Sequence, residues 1–504
     1  MVIGARAGPM RALRNLVRSI AESPHPPRDA PALAAALSAA SAVYGAVSAA
    51  RRELYALGVF RATRVPAPVV SVGNVTWGGS GKTPMAEYLA RDISDAGHAP
   101  TILSRGYRGA DEAGMLRRRL ADVPDARVLV GADRARLARD ALSSRAPSAS
   151  TAHIDEGGRF SREKRFAGDV DVDDVELRCV EDQWRLDAGT RASSPSPSPS
   201  PSPSPSPSPS PTVPSNPHRD HRSSSPSSPR PTAFVLDDGA QHLRLGRDLE
   251  VVMVNALAGW GSGRLVPRGP LRERPEDALA RADVVALHHL RVARERDPHA
   301  AATFERDVRA MVPEGRLVVA TEMRATRVER LARYAGLAPR HEWNPPLTRL
   351  RGSKVLCVCG VGSPEALEAT LAELVAPAPA DDRRGFGLRA RDTGSVEMMR
   401  LGDHEPFRTR DLVDAVERFR EMHAASGEVG GAEARLVLTE KDVARMRAAG
   451  ARKMHEAFAA LAPADPFVLS AELVVPSRRQ RDALSALVRE TLGGHRREGT
   501  CNLG

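Results

Sequence analysis

Cysteine and aromatic residues are scarce in this chain of 504 residues, with four cysteines and 4% Phe, Trp and Tyr. Four cysteines cannot form a disulfide scaffold, and their spacing matches no zinc motif, so a reducing compartment is expected. The 73 basic against 63 acidic residues give a net charge of +10, which favours phosphate-rich ligands or an anionic membrane surface. No nucleic-acid-binding motif accompanies this charge, so we expect no nucleic-acid partner.

Acidic residues are also missing from the N-terminus, where the first one is Glu22. Four arginines precede it, with apolar residues between them: Arg6, Arg11, Arg14 and Arg18. A basic, amphipathic start of this kind is typical of an organellar transit peptide, predicted over residues 1–29, with the mitochondrion ahead of the plastid. A basic disordered tail is the alternative.

No charge occurs between Ala30 and Ala50. The stretch is long enough to span a membrane, but it is mostly alanine and serine, so its transfer energy is weak. We therefore predict a membrane-surface helix over residues 30–62 and a peripheral membrane contact. The residues available for insertion are Leu33, Leu37, Tyr44, Val47, Leu54 and Tyr55. A helix packed on the protein core is the equal alternative.

Alternating strand and helix patterns indicate an α/β fold with a phosphate-loop NTPase-like parallel sheet and helices on both faces. The predicted kinase domain covers residues 63–335, and a second, smaller α/β domain covers residues 350–495, with helices expected from its last predicted strand to about residue 492. The strands are predicted at 69–72, 100–104, 128–130, 233–236, 249–254, 284–287, 355–358 and 436–438. Inside the first domain, an uninterrupted Ser-Pro repeat from Ser194 to Pro211 marks residues 143–231 as a disordered insertion without chemistry.

The segment 69–84 carries the strongest functional signal, because an apolar β-branched run enters a glycine-rich turn followed by Gly-Lys-Thr. Glycine N–H groups and a helix N-terminus can surround phosphate oxygens there, with Lys82 on the β/γ-phosphates and the Thr83 hydroxyl on Mg²⁺. A strict phosphate-loop motif would have glycine at Thr76, so an accidental glycine-rich turn is the alternative. The pattern predicts that the chain binds a nucleoside triphosphate.

A second signal is the acidic pair Asp237-Asp238, which ends an apolar strand. Magnesium prefers hard oxygen ligands, and a phosphate-loop enzyme needs a carboxylate in this position. A solvated turn before Gly239 is the alternative. The pair His288-His289 is expected to be structural, because adjacent strand residues point to opposite faces.

Taken with further motifs, these features resemble the tetraacyldisaccharide 4'-kinase family, which phosphorylates the disaccharide precursor of lipid A. The family's loop pattern, G-N-x-T-x-G-G-x-G-K-T-P, matches residues 73–84 and includes the threonine at Thr76. The other matches are 104–107 (Ser-Arg-Gly-Tyr), 131–134 (Gly-Ala-Asp-Arg), 237–242 with 247–248, 267–273 (Pro-Arg-Gly-Pro-Leu-Arg-Glu), 403–404 and 439–442. They occur in the family's order from about residue 40 to 490.

The resemblance implies transfer of the ATP γ-phosphoryl group to the 4'-hydroxyl of a tetraacylated glucosamine disaccharide 1-phosphate, with Mg²⁺ as cofactor. It implies an active site between the two domains, with the lipid substrate reached at a membrane. The implied nucleotide-binding residues are Thr76, Gly78, Gly79, Ser80, Gly81, Lys82, Thr83, Gln241 and Glu273. The implied magnesium ligands are Thr83, Asp237 and Asp238.

Three more catalytic residues beside Lys82 follow from the resemblance. Arg272 would stabilise charge on the transferring phosphoryl group, unless it is a helix-end arginine. Asp111 and His404 would act as a dyad that accepts the proton of the attacking hydroxyl. A solvated acidic loop and a surface histidine are the alternatives, and Glu112 is the competing base.

Two other functions fit a phosphate loop. An ATP-dependent ligase or synthetase of the same fold group would perform acyl-phosphate chemistry and has no use for an N-terminal amphipathic helix. A nucleotide-switched metallochaperone needs a Cys/His metal cluster, and the sequence offers none.

Overall fold

The computed structural model describes residues 31–106, 111–143, 232–337, 344–377, 394–402, 407–424 and 433–499. The predicted transit peptide and residues 144–231 of the predicted insertion lie outside these ranges. All the described residues belong to one compact unit.

Eleven strands of the described residues form one sheet, in the order β3-β2-β4-β1-β5-β6-β7-β11-β10-β8-β9. They are β1 (Val69–Asn74), β2 (Ala99–Ser104), β3 (Arg127–Val130), β4 (Thr232–Asp237), β5 (Leu249–Asn255), β6 (Val284–His288), β7 (Leu317–Arg330), β8 (Lys354–Cys359), β9 (Ser395–Arg400), β10 (Ala434–Thr439) and β11 (Phe467–Val474). Every pair is parallel except β7 with β11.

The described helices pack on the sheet, and on the first seven strands they cover both faces. They are α1 (Pro31–Ala56), α2 (Lys82–Asp95), α3 (Asp111–Arg119), α4 (Arg134–Ser143), α5 (Pro275–Ala280), α6 (Leu290–Arg296), α7 (Pro298–Met311), α8 (Leu331–Tyr334), α9 (Pro364–Val375), α10 (Thr409–Ala424), α11 (Glu440–Ala448), α12 (Ala451–Leu461) and α13 (Arg478–Gly499). On β5, Val251 and Met253 pack in the core cluster that contains α2, whereas Val252 and Val254 pack in the cluster that contains α5 and α7. Alternate strand residues face opposite sides, so the predicted α/β fold with helices on both faces is confirmed.

Strand β7 joins two groups of strands. Its first residues, Leu317 to Thr321, pair with β6 in parallel. The remaining residues, Glu322 to Arg330, pair with β11 in antiparallel, with a bulge between Ser470 and Ala471. The carboxyl ends of the second group therefore face back towards those of the first. Since loops at carboxyl ends carry ligands in open α/β sheets, this arrangement brings both sets of loops to one place.

Two parts of the second domain differ from the expectation. The region after β10 was expected to be helical, but β11 lies within it, and β9 was not predicted at all. β9 has six residues and β11 has eight, and periodicity over so few residues does not distinguish a buried strand from a helix segment. The division into two domains stays a prediction, because the described strands of both form one sheet.

Helix α1 is long and apolar enough to cross a membrane, by length and composition alone, with a mean hydropathy of 1.6 in its best window. One face packs on the protein through Ala34 and Ser41, which are buried. On the other face Val43 and Val47 are 64% and 62% exposed. Tyr44, which we expected to be available for insertion, is instead half-buried and hydrogen-bonded to the protein.

Candidate active site

The glycine-rich segment forms the predicted strand–loop–helix, with β1 ending at Asn74 and α2 beginning at Lys82. The three loop glycines have positive φ angles: 73° at Gly78, 24° at Gly79 and 77° at Gly81. Residues with a Cβ avoid this region, so the loop path requires glycine there. The turn delivers the N-terminus of α2, with its partial positive charge, to the end of the loop. This geometry suits the binding of a phosphate group.

A buried amide holds the loop from below. Asn74 Nδ2 donates to Ser80 Oγ at 2.8 Å and to the Thr76 carbonyl. Thr76 itself is buried and pairs with Leu271 in an isolated bridge. The threonine that breaks the strict motif thus attaches the loop to a neighbouring segment, and the loop is braced from two sides before any ligand binds.

Charged side chains converge beside the loop. Lys82 Nζ lies 3.6 Å from Asp238 Oδ1, and Arg272 Nη1 lies 2.5 Å from the same oxygen. Burial lowers the pKa of Lys82 below its ordinary value, and the charge of Asp238 partly offsets this effect. Burial alone would raise the pKa of Asp238, yet the charges of Lys82 and Arg272 lower it below its ordinary value. Asp238 is therefore an anion held between two cations.

Asp237 occupies a different environment one residue earlier. Its side chain is 4% exposed, and its Oδ1 atom has no hydrogen-bond partner among the described residues. Burial, together with the negative charge of Glu112, raises the pKa of Asp237 to about 7. A buried carboxylate oxygen without a partner is what a divalent cation would satisfy, and Thr83 in the first turn of α2 offers a hydroxyl of the same hard type. These residues fit Mg²⁺.

Arg134 fixes the turn that carries the two carboxylates. It is buried, and its Nη1 donates to the carbonyl oxygens of Asp237 at 2.8 Å and Asp238 at 3.1 Å. Asp238 has a φ of 54°, an unfavourable conformation that these bonds hold in place. The arginine of the Gly-Ala-Asp-Arg motif thus acts on the backbone of the acidic pair.

Gln241 and Glu273 lie next to Arg272. Gln241 Oε1 accepts from Arg272 at 3.3 Å, and Gln241 Nε2 donates to Glu273 Oε1 at 2.9 Å. Both oxygens of Glu273 accept from Arg281, each at 2.7 Å, and Glu273 is 4% exposed. In this arrangement Glu273 is held by Arg281 and fixes Gln241, which in turn contacts Arg272. Its predicted contact with nucleotide or magnesium stays a prediction.

The sequence motifs did not identify His288. This residue ends β6, and its ring atoms Cδ2 and Nε2 lie 2.7 Å from the point where a Cβ at Gly81 would be. Its Nδ1 atom is 3.0 Å from Thr321 Oγ1. The expectation that His288 and His289 point to opposite faces was wrong, because His289 leaves the strand with a φ of 63° and the ring centroids lie 3.8 Å apart. The reading of His288 as structural fits its place under the loop.

Two further residues that the motifs missed meet at Gly79. The carbonyl of Gly79 accepts from Asn255 Nδ2 and from Ser363 Oγ, each at 2.9 Å. Asn255 ends β5 in the first group of strands, and Ser363 precedes α9 in the second. The phosphate loop therefore touches both groups. No sequence spacing relates these positions.

The predicted proton-accepting dyad is only partly within the described residues. Asp111 begins α3, and His404 lies outside the described ranges. The neighbouring Glu112 lies 3.7 Å from Lys441 Nζ and raises the pKa of Asp237, so the start of α3 does reach the site. Lys441 belongs to the Thr-Glu-Lys-Asp motif. The first and last residues of this motif, Thr439 and Asp442, have a structural role, because they form the capping box of α11.

The chain is similar in sequence to known proteins of one family. A family model described as tetraacyldisaccharide-1-P 4'-kinase matches residues 33–151 and 224–487. A probable mitochondrial tetraacyldisaccharide 4'-kinase of Arabidopsis thaliana is 30% identical over 411 residues, covering 81% of this chain and 80% of the relative. The tetraacyldisaccharide 4'-kinase of Anaeromyxobacter sp. (strain Fw109-5) is 30% identical over 421 residues, covering 83% and 84%.

Among solved structures, the Aquifex aeolicus protein LpxK in complex with ATP is 19% identical, with a TM-score of 0.49, and the match covers 91% of this chain and 99% of that one. The family model alone spans more than half of the chain. The chain belongs to the tetraacyldisaccharide-1-P 4'-kinase family.

Proposed function

We propose that this chain transfers the γ-phosphoryl group of ATP to the 4'-hydroxyl of a tetraacylated glucosamine disaccharide 1-phosphate, forming the lipid A precursor. The observation that carries the proposal is the meeting of Lys82, Asp238 and Arg272 within 3.6 Å beside a glycine-rich loop. Phosphoryl transfer depends on positioning and on charge stabilisation, and these residues supply both. Within the described ranges, no group of three or more His, Cys, Asp and Glu side chains could hold a metal ion.

The loop binds the triphosphate of ATP. Backbone N–H groups of Gly78, Gly79 and Gly81 and the start of α2 surround the β- and γ-phosphates, and Lys82 contacts them as a mobile charge. Lys82 exchanges its contact with Asp238 for the incoming phosphates. The lowered pKa of Lys82 reflects burial, and an added polyanion raises that pKa again and keeps the amine charged.

Thr83, Asp237 and Asp238 would hold Mg²⁺, which would supply charge neutralisation for the β- and γ-phosphates of ATP. Asp237 Oδ1 has no hydrogen-bond partner among the described residues, so it is available to a cation. Its pKa of about 7 means that a proton competes with the cation for this carboxylate near neutral pH.

Arg272 stabilises the negative charge on the equatorial oxygens of the transferring phosphoryl group. Its guanidinium group is pre-oriented by Asp238 at 2.5 Å and Gln241 at 3.3 Å, so little ordering is left to be done when ATP binds. Glu273, fixed by Arg281, supports Gln241 from behind.

Asp111 and His404 accept the proton of the 4'-hydroxyl, since a sugar hydroxyl is a poor nucleophile without a base. Support for this role comes from α3, whose second residue, Glu112, interacts electrostatically with Asp237. Glu112 is the competing base, and one of its carboxylate oxygens lies 3.7 Å from Lys441 Nζ.

The exposed apolar face of α1 provides the peripheral contact with the membrane that holds the lipid substrate. Val43, Val47 and the following Leu57 and Val59 are each more than 60% exposed. We place the enzyme at the mitochondrial inner membrane, with the plastid as the second choice, because of the basic start of the chain. A reporter fused to residues 1–60 tests this, and a uniformly cytosolic signal would reject it.

The activity is tested with Lys82→Ala. We expect ATP-dependent phosphorylation of tetraacyldisaccharide 1-phosphate to fall below a tenth of the wild-type rate, with little change in thermal unfolding, because Asp238 keeps its contact with Arg272. Lys453→Ala, at an exposed lysine of α12, is the matched control. Turnover above a tenth of wild type at saturating ATP contradicts the assignment, and phosphate release that does not depend on the lipid favours the ligase alternative.

A further inference from the structure

Helix α1 makes specific polar contacts with the segment 265–277, which carries Arg272. Ser41 Oγ lies 2.8 Å from the carbonyl of Leu265 and accepts from the Arg268 N–H at 2.9 Å. Ser41 is 8% exposed, so these are buried contacts. The close approach depends on Gly45, where a Cβ would lie 2.7 Å from the Leu265 side chain. The helix is therefore seated on this segment.

The contact nearest to the chemistry comes from Tyr44. Its hydroxyl donates to the carbonyl oxygen of Arg272 at 2.8 Å. About two turns further along the helix, Arg52 Nη2 lies 2.7 Å from Asp277, and its Nη1 lies 3.8 Å from Glu273. Helix α1, which presents Val43 and Val47 to solvent, thus also contacts Arg272 and Glu273 in the segment 265–277.

The other side of the segment is attached to the phosphate loop. The Arg272 N–H donates to the Val75 carbonyl at 2.7 Å, and the Trp77 N–H donates to the Pro270 carbonyl at 2.9 Å. Thr76 and Leu271 form an isolated bridge between these two hydrogen bonds. The backbone of Arg272 is therefore held at its N–H by the loop and at its carbonyl by Tyr44.

We propose that Tyr44 is a positioning residue for phosphoryl transfer, which holds the Arg272 peptide and makes the membrane-facing helix a part of the catalytic scaffold. This inference rests on the role proposed above for Arg272. With both polar groups of its backbone hydrogen-bonded, Arg272 has its Cα held in one position. The guanidinium group is therefore placed by its side-chain torsions alone. Without the hydroxyl, the Arg272 carbonyl loses its partner and the arginine loses its orientation, while the apolar surface of α1 is unchanged.

Tyr44→Phe removes this hydroxyl and nothing else. We expect kcat to fall about three- to tenfold, with an unchanged KM for ATP and unchanged binding to anionic phospholipid vesicles. Tyr55→Phe on the same helix is the matched control, because its ring packs on Phe60 and its hydroxyl makes no hydrogen bond within the described residues. The assay uses the full-length protein with tetraacyldisaccharide 1-phosphate in detergent micelles.

A double-mutant cycle with Arg272→Ala decides how Tyr44 acts. If Tyr44 acts through Arg272, Tyr44→Phe costs nothing further in the Arg272→Ala background. An equal loss in both backgrounds, or a loss explained by weaker vesicle binding, overturns the inference and leaves the role of Arg272 intact. Wild-type turnover in Arg272→Ala would instead refute the proposed role of the arginine, and the inference with it. If Tyr44→Phe does not fold, Ser41→Ala tests whether α1 positions the same segment, because it removes the contacts with Leu265 and Arg268.

Discussion

Replacing Gly81 by alanine should disturb the phosphate loop through His288. Gly81 has a φ of 77°, and a Cβ there would lie 2.7 Å from two atoms of the His288 ring. The ring cannot turn away freely, because it is buried, its Nδ1 atom lies 3.0 Å from Thr321 Oγ1, and its centroid lies 3.8 Å from that of the His289 ring. Either the loop moves or the histidine loses its partner.

The size of the effect follows from two contributions. The left-handed backbone costs about 1–2 kcal/mol for any residue with a Cβ. Ordinary contact begins near 3.4 Å, so the atoms must separate by about 0.7 Å, and loss of the Thr321 hydrogen bond would cost about 1 kcal/mol more. We expect Gly81→Ala to lose about 2–3 kcal/mol of unfolding free energy. A loop shift close to 1 Å should lower turnover by about a hundredfold.

Gly78→Ala is the matched control, since Gly78 has a φ of 73° and its Cβ would meet nothing within 4 Å. Urea unfolding without nucleotide should show only the backbone cost of about 1–2 kcal/mol in this variant. Gly97 lies outside the site, has a φ of 87°, and a Cβ there would also meet nothing within 4 Å. Gly97→Ala should therefore keep full activity. Equal destabilisation by Gly81→Ala and Gly78→Ala would refute the reasoning, because the contact with His288 would then carry no cost.

Three other outcomes can be measured on the same protein. Asp111→Asn and His404→Ala should each lower turnover by orders of magnitude with little change in ATP affinity. The double variant should be scarcely worse than the poorer single variant. Additive losses would show that the two residues do not act as one unit. Deleting residues 152–223, which lie between the two stretches matched by the family model, should leave turnover within about twofold, and loss of soluble protein would count against this. Burial, with help from nearby arginines, lowers the pKa of His242 to about 4 from 6.5, so the unfolded chain binds a proton first as the pH falls. The stabilising contribution of the neutral histidine is complete above 6.5 and is lost on acidification, by about 1.4 kcal/mol at about pH 5.5; His242→Gln should show a smaller loss in urea unfolding at that pH, and an identical loss would contradict the shift.

Local sequence was sufficient for the loop and the acidic pair. The run before Gly73 is apolar and β-branched, and a strand that feeds a glycine turn and a helix start has few alternatives. The same holds for Asp237 and Asp238, which end a strand that is buried along most of its length. In both cases the signal and the structure involve neighbours in sequence.

The rest of the site depends on contacts between distant residues. Asn255 and Ser363 meet at the Gly79 carbonyl, yet they are separated from it by 176 and 284 positions. The hydroxyl of Tyr44 reaches a carbonyl 228 positions away. Serine, asparagine and tyrosine are common on any surface, so nothing in their local pattern marks them. Tertiary packing decides these positions. It also explains why Tyr44, which was expected to face the membrane, contacts the protein instead.

Strand β7 belongs to two groups of strands in turn. Because β7 gives its residues up to Thr321 to the first group of strands and those from Glu322 onward to the second, the two groups are joined by continuous backbone in extended form rather than by a flexible connection. Any rotation of one group against the other must therefore twist β7 close to this boundary. Thr321 stands at that boundary and touches His288, which lies against Gly81. A twist of the strand would consequently be transmitted through two side chains to the peptide that begins the phosphate-binding helix, so that the shape of the whole sheet and the shape of the nucleotide cradle change together.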